Sequence, residues 1–210
     1  MTKKQPTRES VRVTDEMLQA ILDYWKKKGG RNSRHAYMAL KLAAASGARR
    51  GELLGFTPND LQQRSDGKMI ILFKRQRRPL NKSNPNRFDI KLKTARSYGA
   101  AVLDLFPELP KELDDYIRDY DIMPDKPLFD VYPSTADRWL ERARDDLKLD
   151  PRLRLHDLIS WYIAKKYPLV VKALGENNPL LIEDYLRKDL ETIRRHYHRQ
   201  IPPEELMEMV

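Results

Sequence analysis

Two adjacent arginines follow a run of small apolar residues in "ALKLAAASGARRGELLGF", and Glu52 stands three residues after the first of them, Arg49. Neighbouring helix positions point about 100° apart, so Arg49 and Arg50 cannot share one environment, and one is expected to face inward. A guanidinium near a core needs several acceptors or an anion, because leaving it unpaired costs several kcal/mol. Its planar fork of donors can hold two oxygens of one anion, and it stays charged at any physiological pH. Arg49 can equally form an ordinary i,i+3 ion pair with Glu52. A second cationic group, Lys74, Arg75, Arg77, Arg78 and Lys82, lies in the Pro- and Asn-punctuated stretch "KRQRRPLNKSNPN". That stretch is too hydrophilic to be buried and reads as a solvated charge run that steers phosphates. Near the end, "RRHYHR" sets Arg194, Arg195 and Tyr197 in one Arg/His-rich stripe.

The overall charge points the same way. Lysine and arginine number 40 against 31 acidic residues, a formal charge of +9, which favours a polyanionic partner, usually nucleic acid or an anionic membrane surface. With 210 residues, 40% of them hydrophobic, and no run long enough to span a bilayer, the chain reads as one soluble globular domain or nearly so. Cysteine is absent, which excludes disulfides, zinc-thiolate sites and cysteine nucleophiles and fits a cytoplasmic, DNA-associated location. The start "MTKKQPTRESVRV" lacks the apolar segment of a signal peptide. No histidine or carboxylate cluster resembles a metal site, and no cofactor is expected.

The elements that must position these residues are mostly helices, interrupted once. Residues 1–12 read as a flexible basic arm. In "VTDEMLQAILDYWKKKGG", Thr14 caps a helix whose apolar face is Met17, Leu18, Ile21, Leu22 and Trp25, and Gly29 with Gly30 stops it. A second helix runs from about Ser33 to Ala45, breaks at Ser46 and Gly47, and is followed by a new helix opening with the two arginines. "KMIILF" (68–73) and "RFDIKL" (87–92) read as two strands of a hairpin, with the cationic stretch between them. From residue 94 onward the pattern is helical, through "ARSYGAAVLDLF", "KELDDYIRDY" and "STADRWLERARDDLKL", the last capped by Ser134 with Asp137 at its third position. The class is mainly α with a small β-hairpin, α+β.

A helix, "SGARRGEL" and another helix, then a basic hairpin, "PLFDVYPSTADRWLERARDDLKL", "LRLHDL" and "DLETIRRHYHR" occur in an order that resembles the catalytic domain of tyrosine recombinases, the phage integrase family. The resemblance covers about residues 14–199, within a domain of 13–201. It implies that fold, and a site-specific recombinase or integrase, of a mobile element or virus, that cleaves and rejoins double-stranded DNA through a 3′-phosphotyrosine without a cofactor. On its motifs Arg49 is the first catalytic arginine, with Glu52 as its companion, and Arg50 is the outward residue. Lys74, directly after a strand, matches the mobile lysine that protonates the leaving 5′ oxygen; Lys82 is a weaker match, and phosphate steering by the whole cluster is the alternative. His156 fills the first position of His-x-x-Arg.

The chain departs from the family at Ile159, where the second catalytic arginine belongs, and at Ser160. Arg152 or Arg154 reaching in, a charge from a partner subunit, or decay to a DNA-binding descendant would each account for it. Two tyrosines compete as nucleophile. Tyr185 follows "ALGENNPLLIED", while Tyr197 ends "DLETIRRHY", the closer likeness to the family's terminal motif, and is preferred. Arg187 then takes the place of the usual third histidine or tryptophan. The family works as oligomers on DNA, and residues 202–210, "PPEELMEMV", resemble a segment exchanged between subunits. Its separate N-terminal DNA-clamping domain is not expected in this chain.

Overall fold

The structure is a computed structural model that describes residues 11–77, 99–175 and 178–200, with side chains described as far as Arg195. Its helices are α1 (Asp15–Lys28), α2 (Arg31–Ser46), α3 (Arg50–Leu53), α4 (Leu109–Asp119), α5 (Pro133–Asp146), α6 (Asp157–Leu174), α7 (Pro179–Leu186) and α8 (Leu190–Gln200). Its strands are β1 (Leu61–Gln63), β2 (Met69–Phe73) and β3 (Gly99–Val102).

Helix α1 forms as its sequence dictates. Thr14 Oγ1 accepts the Met17 N–H at 3.2 Å, the acids Asp15 and Glu16 occupy the first turn, lysines occupy the last, and Gly29 ends the helix with φ of 67°. Helix α2 is the centre of the molecule. Its run of alanines and leucines is buried almost all round, against α1, α5, α6 and β3, as a helix without a polar face must be. One charge lies within it: Lys41 extends its stem and reaches Glu108 (2.5 Å) and Glu112 (2.6 Å). Buried apolar side chains from every helix and from β2 and β3 join one cluster, which begins at Val11.

The sheet differs from the expected hairpin. β2 is central, antiparallel to both β1 and β3, with Ile71 opposite Leu61 on one side and Ala101 on the other. Residues 99–102, read from the sequence as part of a helix, are instead a strand. Gly99 has φ of 144°, outside the helical region, and Ala101 and Val102 are buried beside β2, so tertiary pairing overrides alanine's helix preference. The predicted strand at 87–92, together with Arg78 and Lys82, lies outside the described residues.

Two local expectations are also corrected. Helix α5 starts two residues early, with Tyr132 as its cap and Pro133 at its first turn, because proline's fixed φ is already helical; Ser134 is not the cap. Gln76 and Arg77 are buried, although the stretch they belong to was expected to be too hydrophilic for burial. The reason is visible in "RRGELLGF". Gly51 and Gly55 let residues 75–77 approach α3 so closely that a Cβ at Gly51 would lie 2.7 Å from the Arg77 carbonyl oxygen, and Arg77 N–H donates to Gly51 O at 2.7 Å.

Candidate active site

The site is built on the break between α2 and α3. Gly47 ends α2 in the left-handed conformation, φ 62°, and packs against the Tyr162 ring of α6 where a side chain would overlap it. The chain then turns so that Arg49, in extended backbone, caps α3. Glu52 closes this turn: its Oε2 accepts the Arg49 N–H at 2.8 Å and its Oε1 accepts Arg49 Nη1 at 2.9 Å.

Neither Arg49 nor Arg50 faces inward. Their side chains are 42% and 41% exposed, because Arg49 precedes the helix and the 100° rule does not separate them. The guanidinium held at the core is Arg187, only 4% exposed. It arrives from the far end of the sequence, where Arg187 ends α7 in the left-handed conformation, φ 56°. Its Nη2 lies 3.1 Å from Glu52 Oε2, and its guanidinium carbon stacks 3.0 Å from the centre of the Phe73 ring, the last residue of β2. Gly99, opening β3, leaves room for its aliphatic stem. One carboxylate, 2% exposed, therefore gathers two guanidiniums from residues 138 positions apart in the chain. Burial alone would raise the Glu52 pKa, but Arg187, the Arg49 N–H and the Arg49 charge together hold it below its ordinary value.

Lys188, next to Arg187, joins this cluster and was not singled out in the sequence. It is 7% exposed, and burial, with the positive charge of Arg49 acting in the same direction, brings its pKa down to about 8. Only its position after a helix-ending residue could have hinted at it.

The other predicted residues divide between two neighbourhoods. Lys74 and Arg75 follow β2 and share buried Asp60, with Lys74 Nζ 3.3 Å and Arg75 Nη2 3.4 Å from its Oδ1. Arg77 Nη1 pairs with Asp130 at 3.0 Å. Arg50 pairs with Asp137 of α5, and both border a cavity of about 430 Å³ together with Arg154, His156 and Ile159. Ile159 is 2% exposed and stands one turn into α6 from His156, which caps that helix. Of the two upstream arginines, Arg154 lines this cavity, whereas Arg152 grips Asp150 through Nε and Nη2.

Tyr197 lies on α8, and Arg194 and Arg195 are exposed there, with Arg195 Nη2 2.6 Å from Glu191. α8 packs along α6 and α7, anchored by buried Ile193. Tyr185 of α7 is partly buried, and burial pushes its phenol pKa up, helped by the Asp104 charge. Among the described residues no group of three His, Cys, Asp or Glu could hold a metal ion, and no helix is long and apolar enough to cross a membrane.

No protein-family model and no curated protein matches the sequence. Solved structures do match by fold. A XerH site-specific recombinase bound to palindromic difH substrate, in a post-cleavage complex, superposes with a TM-score of 0.66 over 96% of this chain and 53% of that one, at 17% identity. The Tn1549 transposon integrase in complex with transposon right end DNA gives 0.68 over 98% and 67%, at 15% identity. XerA recombinase gives 0.65 over 100% and 65%, at 16% identity. The fold is that of a tyrosine recombinase catalytic domain. The chain spans about half the length of the XerH recombinase and about two thirds of the other two.

Proposed function

We propose that the protein is a tyrosine-type DNA strand transferase, a site-specific recombinase or integrase. The observation that carries this reading is the pairing of Arg49 and Arg187 through one buried carboxylate, in a fold shared with recombinases bound to DNA substrates. Two forks of donors fixed side by side suit a phosphodiester whose negative charge grows as a fifth oxygen approaches. Because Glu52 already orients both, little reorganisation remains when the phosphate arrives.

In this reading Tyr197 attacks the scissile phosphorus, Arg49 and Arg187 hold the non-bridging oxygens, and His156 contacts the phosphate from the start of α6. A 3′-phosphotyrosine forms and a 5′-hydroxyl leaves; attack by a 5′-hydroxyl of another strand reverses the step. Tyrosine suits this exchange because a phenol with pKa near 10 serves both as nucleophile and as leaving group. Arg187 supplies the second guanidinium that Ile159 cannot. Arg50, Lys74, Arg75, Arg77, Arg78, Lys82, Arg194 and Arg195 bind or steer the duplex backbone, with double-stranded DNA as partner and a homo-oligomer on DNA as the working assembly.

The test is covalent trapping of the protein on nicked duplexes from a sequence-randomised pool. An adduct made by the wild type, lost in Tyr197→Phe and kept in Tyr185→Phe supports the reading. An adduct kept in Tyr197→Phe and lost in Tyr185→Phe transfers the role to Tyr185. Ile159, buried where a guanidinium would serve, favours a second reading, a catalytically impaired descendant that only binds DNA. Salt-sensitive DNA binding with no adduct selects that reading.

A further inference from the structure

The mechanism above leaves one buried titratable group of the cluster unused. Lys188 sits between the end of α7 and the start of α8, faced by Arg49 ahead of α3, Glu52 on α3, Arg187 beside it and Asp189 after it. Its neighbours are partly committed: Glu52 to Arg49 and Arg187, and Asp189 to Thr192 of α8, at 2.8 Å from its N–H and 2.9 Å from its hydroxyl. Among the described residues no hydrogen bond or ion pair reaches Lys188 Nζ. Most buried ammonium groups are paired, so one left without a partner, beside two guanidiniums, is held where an incoming anion completes the charge balance. The expected proton donor, Lys74, is by contrast exposed and engaged by Asp60.

We infer, on the strand-transfer reading above, that Lys188 Nζ is the proton donor to the leaving 5′ oxygen. The bond between Tyr197 Oη and phosphorus forms, the phosphorus–O5′ bond breaks, and an N–H proton of Lys188 passes to O5′ while the phenol proton is released to water. The 5′-hydroxyl leaves neutral and Lys188 is left as an amine. In the rejoining step the amine takes the proton back from the attacking 5′-hydroxyl. A lysine whose pKa lies at about 8 is charged at neutral pH yet gives up its proton readily, as a general acid must. The flanking guanidiniums that orient the phosphate also disfavour the ammonium, so holding the anion and releasing the proton are served by the same charges.

The test uses the full chain and the duplex on which the wild type forms its adduct, made with either oxygen or sulfur at the bridging 5′ position of the cleaved linkage. A thiolate leaves without a proton, so sulfur bypasses the donor. Lys188→Met is expected to slow cleavage of the oxygen duplex by roughly 10²- to 10⁴-fold and to stay within about threefold of the wild type on the sulfur duplex. Lys74→Met is expected to affect both duplexes alike. In the wild type, cleavage of the oxygen duplex should fall above about pH 8 and cleavage of the sulfur duplex should not. This last measurement needs no variant and so does not depend on Lys188→Met folding. The inference is overturned if Lys188→Met is equally slow on both duplexes, if sulfur rescues Lys74→Met instead, or if both duplexes show the same alkaline fall in the wild type. No adduct with the wild type on any duplex refutes strand transfer itself; an adduct without selective rescue refutes only Lys188.

Discussion

Replacing Glu52 by glutamine removes one charge and almost no volume. The amide oxygen can still accept the Arg49 N–H, so the cap of α3 survives and the loss falls on the two guanidiniums. Arg49 is half exposed and regains water, but Arg187 is 4% exposed, stacked on Phe73, and loses the buried carboxylate that balances its charge. Breaking a buried ion pair by removing one partner typically costs about 3–5 kcal/mol, and Glu52→Gln should lose that much at pH 7. For a chain of this size each kcal/mol shifts the midpoint by roughly 2–4 °C, so thermal unfolding should occur about 10 °C lower. Acid removes the difference. A carboxyl whose folded pKa lies below its ordinary value of 4.5 contributes its full stabilisation above that pH and loses it as pH falls through the folded value. Urea unfolding of both proteins from pH 7 down to pH 3 measures the gap and its closure. A gap under about 1 kcal/mol at pH 7, the range of an exposed ion pair, would refute the view that Glu52 holds a buried arginine in place.

Lys188→Met should act in the opposite sense. Lowering a lysine from 10.5 to about 8 disfavours the charged form by about 3 kcal/mol at 1.36 kcal/mol per pH unit. The variant should therefore be up to about 3 kcal/mol more stable than the wild type at pH 7, a gain that shrinks above pH 8 and is gone beyond pH 10.5, where the unfolded chain has also lost the proton; urea unfolding at pH 7 and pH 10.5 reads it. Gly47→Ala should cost roughly 2–4 kcal/mol, since it combines a left-handed backbone with overlap on the Tyr162 ring, and calorimetry would reveal it. Arg187→Lys should reduce adduct formation by roughly 10²- to 10³-fold, the loss typical of one preorganised donor. Ile159→Arg should raise adduct formation by no more than a few-fold, because the second guanidinium is already present in Arg187.

Helices were the legible part of this sequence, and for identifiable reasons. Thr14, the apolar stripe of α1 and the paired glycines after it each act over one or two turns, so local chemistry fixes the element. β3 was missed because "GAAV" owes its conformation to β2, which lies some thirty residues earlier. Gly51 and Gly55 were legible as glycines but not as the floor on which residues 75–77 rest. Within the site, the Arg49–Glu52 pair could be read from its spacing of three. The convergence of Arg187 and Lys188 on that pair could not, since nothing in "YLRKDL" announces which turn of chain it will meet. Arg50, expected to be outward, is half-exposed like Arg49, and its tie to Asp137 of α5 is a tertiary fact with no local signature.

Arg187 carries two burdens that ordinarily fall to different residue types. Its backbone adopts the left-handed conformation that glycine reaches without strain, while its side chain supplies a guanidinium that glycine lacks. Glycine at this position would relieve about 1–2 kcal/mol of backbone strain between α7 and α8, yet it would strip buried Glu52 of its guanidinium at a cost of about 3–5 kcal/mol. Selection for thermostability and selection for an anion-holding pocket therefore pull the same way here, and the strained arginine is kept by both.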